Sequence, residues 1–445
     1  MTRNRSKAKR AASIIILLLA DILSIFFSLL IAYGLRIFFN RYFEFSAPQK
    51  LWDYHELALL LFGIVLVLLY REGIYTKRYD FWQETERIVK AIFLSGIILL
   101  AALAMIKQSG NYSRFVLIVA FAIMTIVLPL QKNFIKRLMF RIGIWKHGAK
   151  VMGKDPFFAK HVFTNAYLGY VPSNNTNAKT LFVASSENTK NLESILHTAL
   201  MRKQEVIFIP MVKNFNFSDA HIIHLFNARS NLIIVENNLM SQTNRAVKTV
   251  IDYLLAILIF PFLLSGIGII AWLIKREDAG AVFFKQTRIG QDSREFVCYK
   301  FRSMHSDGKN LLEAYLREHP EEVKHYETYH KYKNDPRITK IGAFLRKTSL
   351  DELPQIFNVL KGEMSLIGPR PYMPNERSKI GKNIDIILAV KPGITGLWQV
   401  SGRNDVDFMG RVDLDTWYVR NWGIWNDIVI LVKTVQVVLR SKGAS

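Results

Sequence analysis

The chain has 445 residues, of which half are hydrophobic and 12% are aromatic. This length suits two or three domains, and the apolar content excludes a wholly soluble protein, so membrane segments are expected. The formal net charge of +23 favours anionic partners such as phospholipid headgroups, nucleotide phosphates or nucleic acid. The single cysteine, Cys298, excludes an internal disulfide framework and a thiolate zinc cluster, and it is expected to be a small packing residue.

The N-terminal third of the sequence predicts a membrane bundle. Four apolar runs lie near residues 11–35, 57–70, 88–106 and 115–130, and the second is the shortest. Each is close to the roughly 20 residues that cross a bilayer. Basic residues precede the first run, so the positive-inside bias keeps the N-terminus in the cytoplasm and four crossings return the chain there. We therefore predict a four-helix transmembrane region over residues 1–145.

Polar residues accompany these apolar runs. Asp21 lies inside the first run, where a carboxylate marks either a functional pathway or, as we expect, a hydrogen bond between helices. A basic segment at the end of the fourth run contains Lys132, Lys136, Arg137, Arg141, Lys146 and Lys150. It is predicted to serve as a juxtamembrane anchor to anionic lipid or simply as a topology signal.

Short apolar runs alternate with helical patterns between residues 146 and 240. The apolar runs cover 181–184, 206–210 and 232–235, and the helical patterns cover 189–202 and 219–228. This alternation predicts a small Rossmann-like α/β middle domain with a largely parallel sheet. Only Gly148 and Gly153 stand where a dinucleotide site needs G-x-G-x-x-G, so the domain is expected to be a scaffold or a regulator.

A further apolar stretch, about residues 248–274, carries Pro261 near its middle. A proline removes a backbone hydrogen bond and bends a helix. Basic residues flank both ends of the stretch, which places both ends on the cytoplasmic side and predicts a re-entrant helical hairpin broken at Pro261. The alternative is a fifth, kinked crossing, which the pattern alone slightly favours. It would remove everything after Lys275 from the cytoplasm.

Residues 241–445 are predicted to form an α+β catalytic domain that includes this re-entrant helix. Its compact motifs are KFRSM (300–304), NDPRIT (334–339), LRKTSLDELPQ (345–355), MSLIGPRP (364–371) and KPGITGLWQVSGRN (391–404). One carboxylate pair, Asp351 and Glu352, stands among many cations. These cations are Lys300, Arg302, Arg337, Arg346, Lys347, Arg370 and Arg403. Guanidinium groups bind phosphate oxygens in bidentate fashion, so the set predicts a diphosphate ligand.

Each of these features also has a purely structural interpretation. The cations could form a solvated basic face, although Gly and Pro turns such as Gly368-Pro369 fix the backbone and aim side chains. Ser349 and Glu352 have the S-x-x-E spacing of a helix capping box, with Pro354 in the first turn of the following helix. The two interpretations of the carboxylate pair are compatible, because a rigid helix start is a good mount for a nucleophile.

The motifs resemble those of the bacterial sugar transferase family, the polyprenyl-phosphate phosphoglycosyl transferases whose catalytic domain has a re-entrant membrane helix. The resemblance covers residues 248–444. The N-terminal bundle, the middle domain and the ending Trp417-Tyr418-Val419-Arg420-Asn421-Trp422 are similar to the long members that act on undecaprenyl phosphate, in particular those that transfer galactose phosphate. The resemblance places the protein in the bacterial inner membrane, with the catalytic domain on the cytoplasmic face.

The resemblance also implies a mechanism. Asp351 would attack the β-phosphorus of a UDP-sugar and release UMP, and undecaprenyl phosphate would then take the sugar phosphate from the carboxylate. Mg²⁺ is the implied cofactor, with Asp351, Glu352 and Asp415 as candidate ligands, and Glu352 would either hold this ion or orient Asp351. The implied substrate- and phosphate-binding residues are Lys300, Arg302, Arg337, Arg346, Arg370, Gln399 and Arg403. Such a reaction is the first membrane step of O-antigen, capsule or exopolysaccharide synthesis.

Two other function classes are compatible with parts of the sequence. A glycosyltransferase that moves sugar without its phosphate would use an acidic D-x-D pattern, which occurs at Asp413-Leu414-Asp415 and at Asp405-Val406-Asp407. A basic membrane scaffold would need no catalytic carboxylate. No nucleic-acid partner is expected, because the sequence has no zinc finger, RNP-type run or helix-turn-helix pattern. A homodimer is the base-rate expectation for assembly.

Overall fold

The computed structural model describes two compact units, residues 1–213 and 214–445. The description excludes residues 1, 41, 43–54, 106–112, 153–160, 174–177, 179, 185–204, 210–220, 226–229, 235–237, 320–321, 323–331, 333–334, 403–405 and 441–445. The predicted domain boundaries near residues 145 and 240 stay predictions.

Four helices form the N-terminal part, as the apolar runs predict. They are α1 (Thr2–Phe39), α2 (His55–Arg71), α3 (Phe81–Met105) and α4 (Arg114–Arg141). Helices α1, α3 and α4 are long and apolar enough to cross a membrane. Helix α2 has 17 residues, a length of about 26 Å against a hydrocarbon core of roughly 30 Å. Large apolar side chains such as Phe93 and Ile118 stay exposed, which suits a surface that faces lipid.

Two buried ion pairs hold the helices of this bundle together. The Lys132 ammonium donates to Asp21 Oδ2 at 2.6 Å, and the Tyr75 hydroxyl donates to the same oxygen at 2.7 Å. Lys136 pairs with Glu84. The predicted hydrogen bond of Asp21 between helices is thereby confirmed. The headgroup-anchor interpretation is wrong for Lys132 and Lys136, because both side chains are fully buried in the bundle.

A parallel sheet follows the bundle in the first unit. Its strands are β1 (His147–Met152), β2 (Tyr170–Pro172), β3 (Thr180–Ala184) and β4 (Glu205–Ile209), in the order β2-β1-β3-β4. All three strand pairs are parallel, as the alternating pattern predicts. The predicted helix over 189–202 lies outside the described residues.

The helix predicted over residues 219–228 is wrong where the structure describes it. His221–Leu225 forms strand β5, which pairs antiparallel with β6 (Ser230–Ile234) in the second unit. The β-branched pair Ile222 and Ile223 favours a strand, and five register pairs with β6 outweigh a weak helical periodicity.

The second unit contains two further strand pairs and nine α-helices among its described residues. Strands β7 (Phe283–Ile289) and β8 (Glu295–Phe301) form an antiparallel hairpin, and β9 (Ser365–Ile367) runs parallel to β10 (Gly393–Thr395). The helices are α5 (Gln242–Glu277), α6 (Gly308–Glu318), α7 (Lys340–Thr348), α8 (Ile356–Leu360), α9 (Arg377–Ile380), α10 (Ile384–Leu388), α11 (Leu397–Val400), α12 (Phe408–Arg420) and α13 (Ile424–Arg440).

Helix α5 runs without interruption from residue 242 to 277, with Pro261 inside it, so the predicted break at Pro261 into a helical hairpin is not seen. Near its start, Lys248 donates to Asp427 of α13 at 2.9 Å. At its end, the Glu277 carboxylate accepts hydrogen bonds from the backbone N–H groups of Lys340 and Ile341. Helix α5 is long and apolar enough to span a membrane, yet the same polar unit binds both of its ends.

We expect the buried pair Asp21–Lys132 to respond to charge removal one partner at a time. The Asp21→Asn variant leaves an ammonium group buried without its carboxylate and should lower the free energy of unfolding by about 3–5 kcal/mol. The Asp21→Asn/Lys132→Met double variant should recover most of this loss. Unfolding in detergent micelles measures both effects.

Arg137→Met is the matched control, because Arg137 is exposed on the same helix and its loss should change the free energy by less than about 0.5 kcal/mol. If Asp21→Asn destabilises the protein no more than Arg137→Met does, the ion pair does not hold the bundle together.

Candidate active site

Strand β8 presents Lys300 to the candidate site. Side chains of a strand alternate between two faces, so Lys300 shares the face of the buried residues Phe296 and Cys298 and lies at its carboxyl end. The Lys300 ammonium donates to Glu352 Oε1 at 2.6 Å, and both side chains are about one quarter exposed. The structure therefore brings together two residues that lie far apart in the sequence.

The carboxylate pair lies on a tight turn between two helices. Helix α7 ends at Thr348, its C-cap residue Ser349 has a φ of 58° in the left-handed region, and a 3-10 helix over Leu350–Gln355 follows. The side chain of Ser349 makes no capping hydrogen bond in this turn, so the predicted capping box is wrong. The left-handed Ser349 stores local strain, which is common at functional sites. The turn presents Asp351 and Glu352 half-buried.

Electrostatics at this turn oppose ionisation of Asp351. Burial raises the pKa of the Asp351 carboxyl group, and the neighbouring Glu352 charge raises it further. The positive charges of Lys300 and Arg346 act in the opposite direction. The group therefore has a pKa above its usual range but remains surrounded by cations that stabilise its anion.

The buried side chain of Asn358 fixes this turn against strand β8. Its amide group donates to the carbonyl of Val297 at 2.7 Å, and its oxygen accepts from the N–H of Tyr299 at 3.1 Å. These bonds imitate a neighbouring strand and satisfy the edge of β8. Because α8 directly follows the 3-10 helix, the two Asn358 bonds hold the turn that carries Glu352 next to the strand that carries Lys300.

A second backbone turn carries Arg370. The N–H of Gly368 donates to Thr395 O at 2.9 Å, and the N–H of Gly393 donates to Pro369 O at 2.8 Å. A side chain at residue 368 would collide with the opposing backbone, since an added Cβ would lie 2.7 Å from the Gly393 nitrogen. Glycine is required at this close approach.

Asp415 lies beneath this turn and is fully buried. Its Oδ2 accepts from the Arg370 N–H at 3.1 Å and from the Tyr372 hydroxyl at 2.8 Å. Burial raises the pKa of Asp415 to about 7. Asp415 does not join Asp351 and Glu352 in a metal site. The described residues contain no group of three acidic, histidine or cysteine side chains able to hold a metal ion. Asp415 instead supports the turn that carries Arg370.

A cavity of about 100 Å³ lies between these elements. Three cations and one carboxylate line it, a formal excess of two positive charges. The lining residues are Arg288, Cys298, Lys300, Glu352, Gln355, Arg370, Pro371, Gly393, Ile394, Trp398 and Gln399. Of the predicted substrate-binding residues, Lys300, Arg370 and Gln399 are thus brought to one cavity. The charge excess suits an anionic ligand.

Other predicted site residues lie elsewhere. Arg302 donates to the Asp278 carbonyl at 2.7 Å, and Arg337 forms a bidentate ion pair with Asp335. Arg346 donates to the Ser303 hydroxyl at 2.9 Å, although its charge acts on Asp351. None of these three lines the cavity. Arg403 lies outside the described residues.

Sequence reasoning missed three residues of this region. Arg288 of β7 and Trp398 of α11 line the cavity, and Asn358 fixes the turn that carries Asp351 and Glu352. Trp398 stood within the KPGITGLWQVSGRN motif without an assigned role, and the Arg370 guanidinium lies 5.5 Å from its ring centroid. Arg288 belongs to no motif that was singled out, so only a general search for basic residues next to short strands could have found it.

Asp351 and Glu352 are the residues of the turn that could hold Mg²⁺. Asp351 and Glu352 supply hard carboxylate oxygens, and Mg²⁺ is commonly held by one or two carboxylates together with substrate phosphates. A complete protein cage of three acidic ligands is absent from the described residues. The pair therefore fits the ion.

The comparisons with known proteins all match this chain to sugar transferases. The description of the matching family is bacterial sugar transferase, and the match covers residues 243–441. The undecaprenyl-phosphate galactose phosphotransferase of Salmonella typhimurium is 33% identical, over 93% of this chain and 95% of that protein. The UDP-galactose-lipid carrier transferase of Erwinia amylovora is 33% identical, over 89% and 90%. The UDP-glucose:undecaprenyl-phosphate glucose-1-phosphate transferase of Escherichia coli is 34% identical over 55% and 51%.

The raised pKa of Asp415 predicts a pH dependence of stability. Because the pKa in the folded protein, about 7, exceeds the ordinary value of 3.8, the neutral carboxyl group favours folding. This contribution is complete below about pH 4 and is lost as pH rises through about 7. Asp415→Asn keeps an acceptor for Arg370 and Tyr372 and should flatten the decline of the unfolding midpoint between these pH values.

Asp413→Asn is the matched control, because Asp413 is exposed on the same helix. An unchanged pH profile in Asp415→Asn would show that the residue titrates normally.

Proposed function

Because the chain belongs to the bacterial sugar transferase family, we propose that it transfers a hexose 1-phosphate from a UDP-sugar to undecaprenyl phosphate and releases UMP. Membership of the family confirms the resemblance seen in the motifs and makes the protein a transferase enzyme. The observation that carries the proposal is the half-buried carboxylate pair beside a cavity with two excess positive charges. A nucleotide sugar brings a diphosphate of matching charge to such a cavity.

Asp351 is the proposed nucleophile. Its carboxylate oxygen attacks the β-phosphorus of the UDP-sugar, the bond from that phosphorus to the bridging oxygen breaks, and UMP leaves with the bridging oxygen. The sugar phosphate is then held on Asp351 as an acyl phosphate. A phosphate oxygen of undecaprenyl phosphate attacks the same phosphorus, which forms the lipid diphosphate sugar and returns the Asp351 carboxylate.

The neighbours of Asp351 prepare it for this role. Lys300 and Arg346 favour its ionised form, and burial keeps water from stabilising the anion too strongly. Lys300 also holds Glu352 by a direct ion pair, which orients the second carboxylate. Mg²⁺, with Asp351 and Glu352 as its proposed ligands, would neutralise negative charge at the transferring phosphoryl group.

Helix α5 gives this site access to a lipid. Its Ala256, Ile267 and Ile274 pack in one cluster with Ile356 and Val359 of α8, directly behind the carboxylate turn. A straight helix of 36 residues is about 54 Å long, longer than the roughly 30 Å hydrocarbon core. A polar unit bound to both ends of a crossing helix would have to enter the hydrocarbon. We therefore propose that α5 enters and leaves by the cytoplasmic face as one continuous helix that bends at Pro261.

Galactose is the proposed sugar. The Salmonella typhimurium and Erwinia amylovora proteins match nearly the whole chain and carry galactose in their names, whereas the glucose enzyme of Escherichia coli matches about half of it. The proposed place is the inner membrane, at the first lipid-linked step of O-antigen, capsule or exopolysaccharide synthesis. A homodimer stays a prediction.

The reaction is tested with the purified full chain, undecaprenyl phosphate, Mg²⁺ and a panel of UDP-sugars. UMP should appear, and most rapidly from UDP-galactose. Without the lipid, mass spectrometry should find a peptide containing Asp351 with one hexose phosphate attached. Asp351→Asn should abolish both signals and lower the rate at least about a thousandfold, because the nucleophile is lost.

Asp413→Asn is the control, because Asp413 is exposed and belongs to the D-x-D pattern of the competing glycosyltransferase interpretation. Release of UDP in place of UMP, or equal loss of activity in both variants, would favour that interpretation. An active Asp351→Asn variant would exclude the covalent mechanism.

The path of α5 is tested by labelling single cysteines in a Cys298→Ala background. Thr243→Cys and Ala279→Cys are exposed positions at the two ends of the helix. A membrane-impermeant maleimide should label both from the cytoplasmic side of inverted vesicles, and neither from the opposite side of intact spheroplasts. Labelling of the two positions from opposite sides would establish a fifth crossing.

A further inference from the structure

Arg288 is a buried cation that lacks, among the described residues, both a counter-charge and an acceptor for its Nε–H group. Its side chain is 7% exposed, and it lines the cavity together with Lys300 and Arg370. Within the part of the chain that the structure describes, it has no carboxylate at ion-pair distance. A buried charge without a counter-charge is costly, so such a residue implies an anion that binds to it.

Two hydrogen bonds fix the position of this guanidinium. Its Nη1 donates to the Pro371 carbonyl at 3.0 Å, and its Nη2 donates to Gln286 Oε1 at 2.6 Å. Its Nε is buried and has no hydrogen-bond acceptor among the described residues. An arginine offers five N–H donors. Arg288 is therefore clamped in place, with donors left over for a ligand.

The position of Arg288 also links it to the turn that carries Arg370. Pro371, whose carbonyl it binds, follows Arg370 directly, and both guanidinium groups line the same small cavity. Burial and the charge of Arg370 both lower the pKa of Arg288. An anion placed between the two guanidinium groups would relieve this repulsion and complete the missing hydrogen bonds.

The geometry points to Arg288 as a phosphate-binding residue of the donor site, which together with Arg370 binds the diphosphate of the nucleotide sugar. This inference rests on the proposed function for the identity of the ligand. The alternative is a purely structural arginine that ties β7 to the Pro371 turn. A structural residue would affect every ligand of the site alike, whereas a phosphate-binding residue affects only ligands that carry phosphate.

The test compares UDP with uridine as probes. Calorimetric titration of the full chain in detergent, at one Mg²⁺ concentration, should show UDP binding to Arg288→Met about ten- to a hundredfold more weakly than to the unchanged protein. Uridine affinity should stay the same. Arg288→Lys keeps the charge without the planar fork and should give an intermediate UDP affinity. If Arg288→Met does not fold, the UDP and uridine affinities of Arg288→Lys decide the result.

Arg294→Met is the matched control, because Arg294 is exposed in the turn of the same hairpin. It should leave both affinities unchanged. Equal weakening of UDP and uridine in the Arg288 variants, or unchanged UDP affinity in a folded variant, would overturn the inference.

Kinetics separate this inference from the proposed function. In Arg288→Lys the KM for UDP-galactose should rise and the KM for undecaprenyl phosphate should not. A rise confined to the lipid phosphate would overturn the assignment to the nucleotide donor. If the unchanged protein binds UDP but releases no UMP from any UDP-sugar, the proposed function fails, while the comparison of UDP with uridine still decides the role of Arg288.

Discussion

The attachment of one apolar helix to one polar unit at both ends is the constraint on which the rest of the C-terminal structure depends. Lys248 and Glu277 hold the two ends of α5, and the apolar residues between them pack behind the 3-10 helix that carries Asp351. Hydrophobic burial between α5 and α8 thus places a charged turn beside the exposed apolar surface of α5. The proposed reaction between a water-soluble donor and a lipid acceptor needs such a position.

Charge distribution is the second determinant. The site concentrates basic groups in a partly buried region, and each basic group found there has a different partner. Lys300 is paired with Glu352, and Arg370 lies beside the ring of Trp398. The remaining guanidinium, that of Arg288, is held by neutral acceptors. Because few carboxylates balance these cations, the site has an excess of positive charge that favours the binding of an anion. The buried ion pairs of the N-terminal bundle show the opposite arrangement, in which each charge meets its counter-charge inside the protein.

Local patterns predicted the elements of this fold well where one physical signal dominated. Long apolar runs became α1, α3, α4 and α5, and the short runs near residues 181 and 206 became strands. The pattern failed where two signals were similar in strength, as in residues 221–225, where pairing with β6 overrode a helical periodicity. It also failed where local spacing imitated a motif, since Ser349 and Glu352 have the spacing of a capping box but Glu352 binds Lys300 instead.

The sequence by itself determined the membrane character, the carboxylate pair and most of the basic residues around it, because composition and short ordered motifs depend only on neighbours along the chain. Tertiary structure alone decided which cations share a cavity. Arg302 and Arg337 bind other partners and do not line the cavity. Asp415 lies beneath the turn of Arg370, and Arg288 reaches the cavity from a strand about 80 residues away in the sequence. Contacts between residues so distant in sequence arise from the packing of whole elements, and no local pattern encodes them.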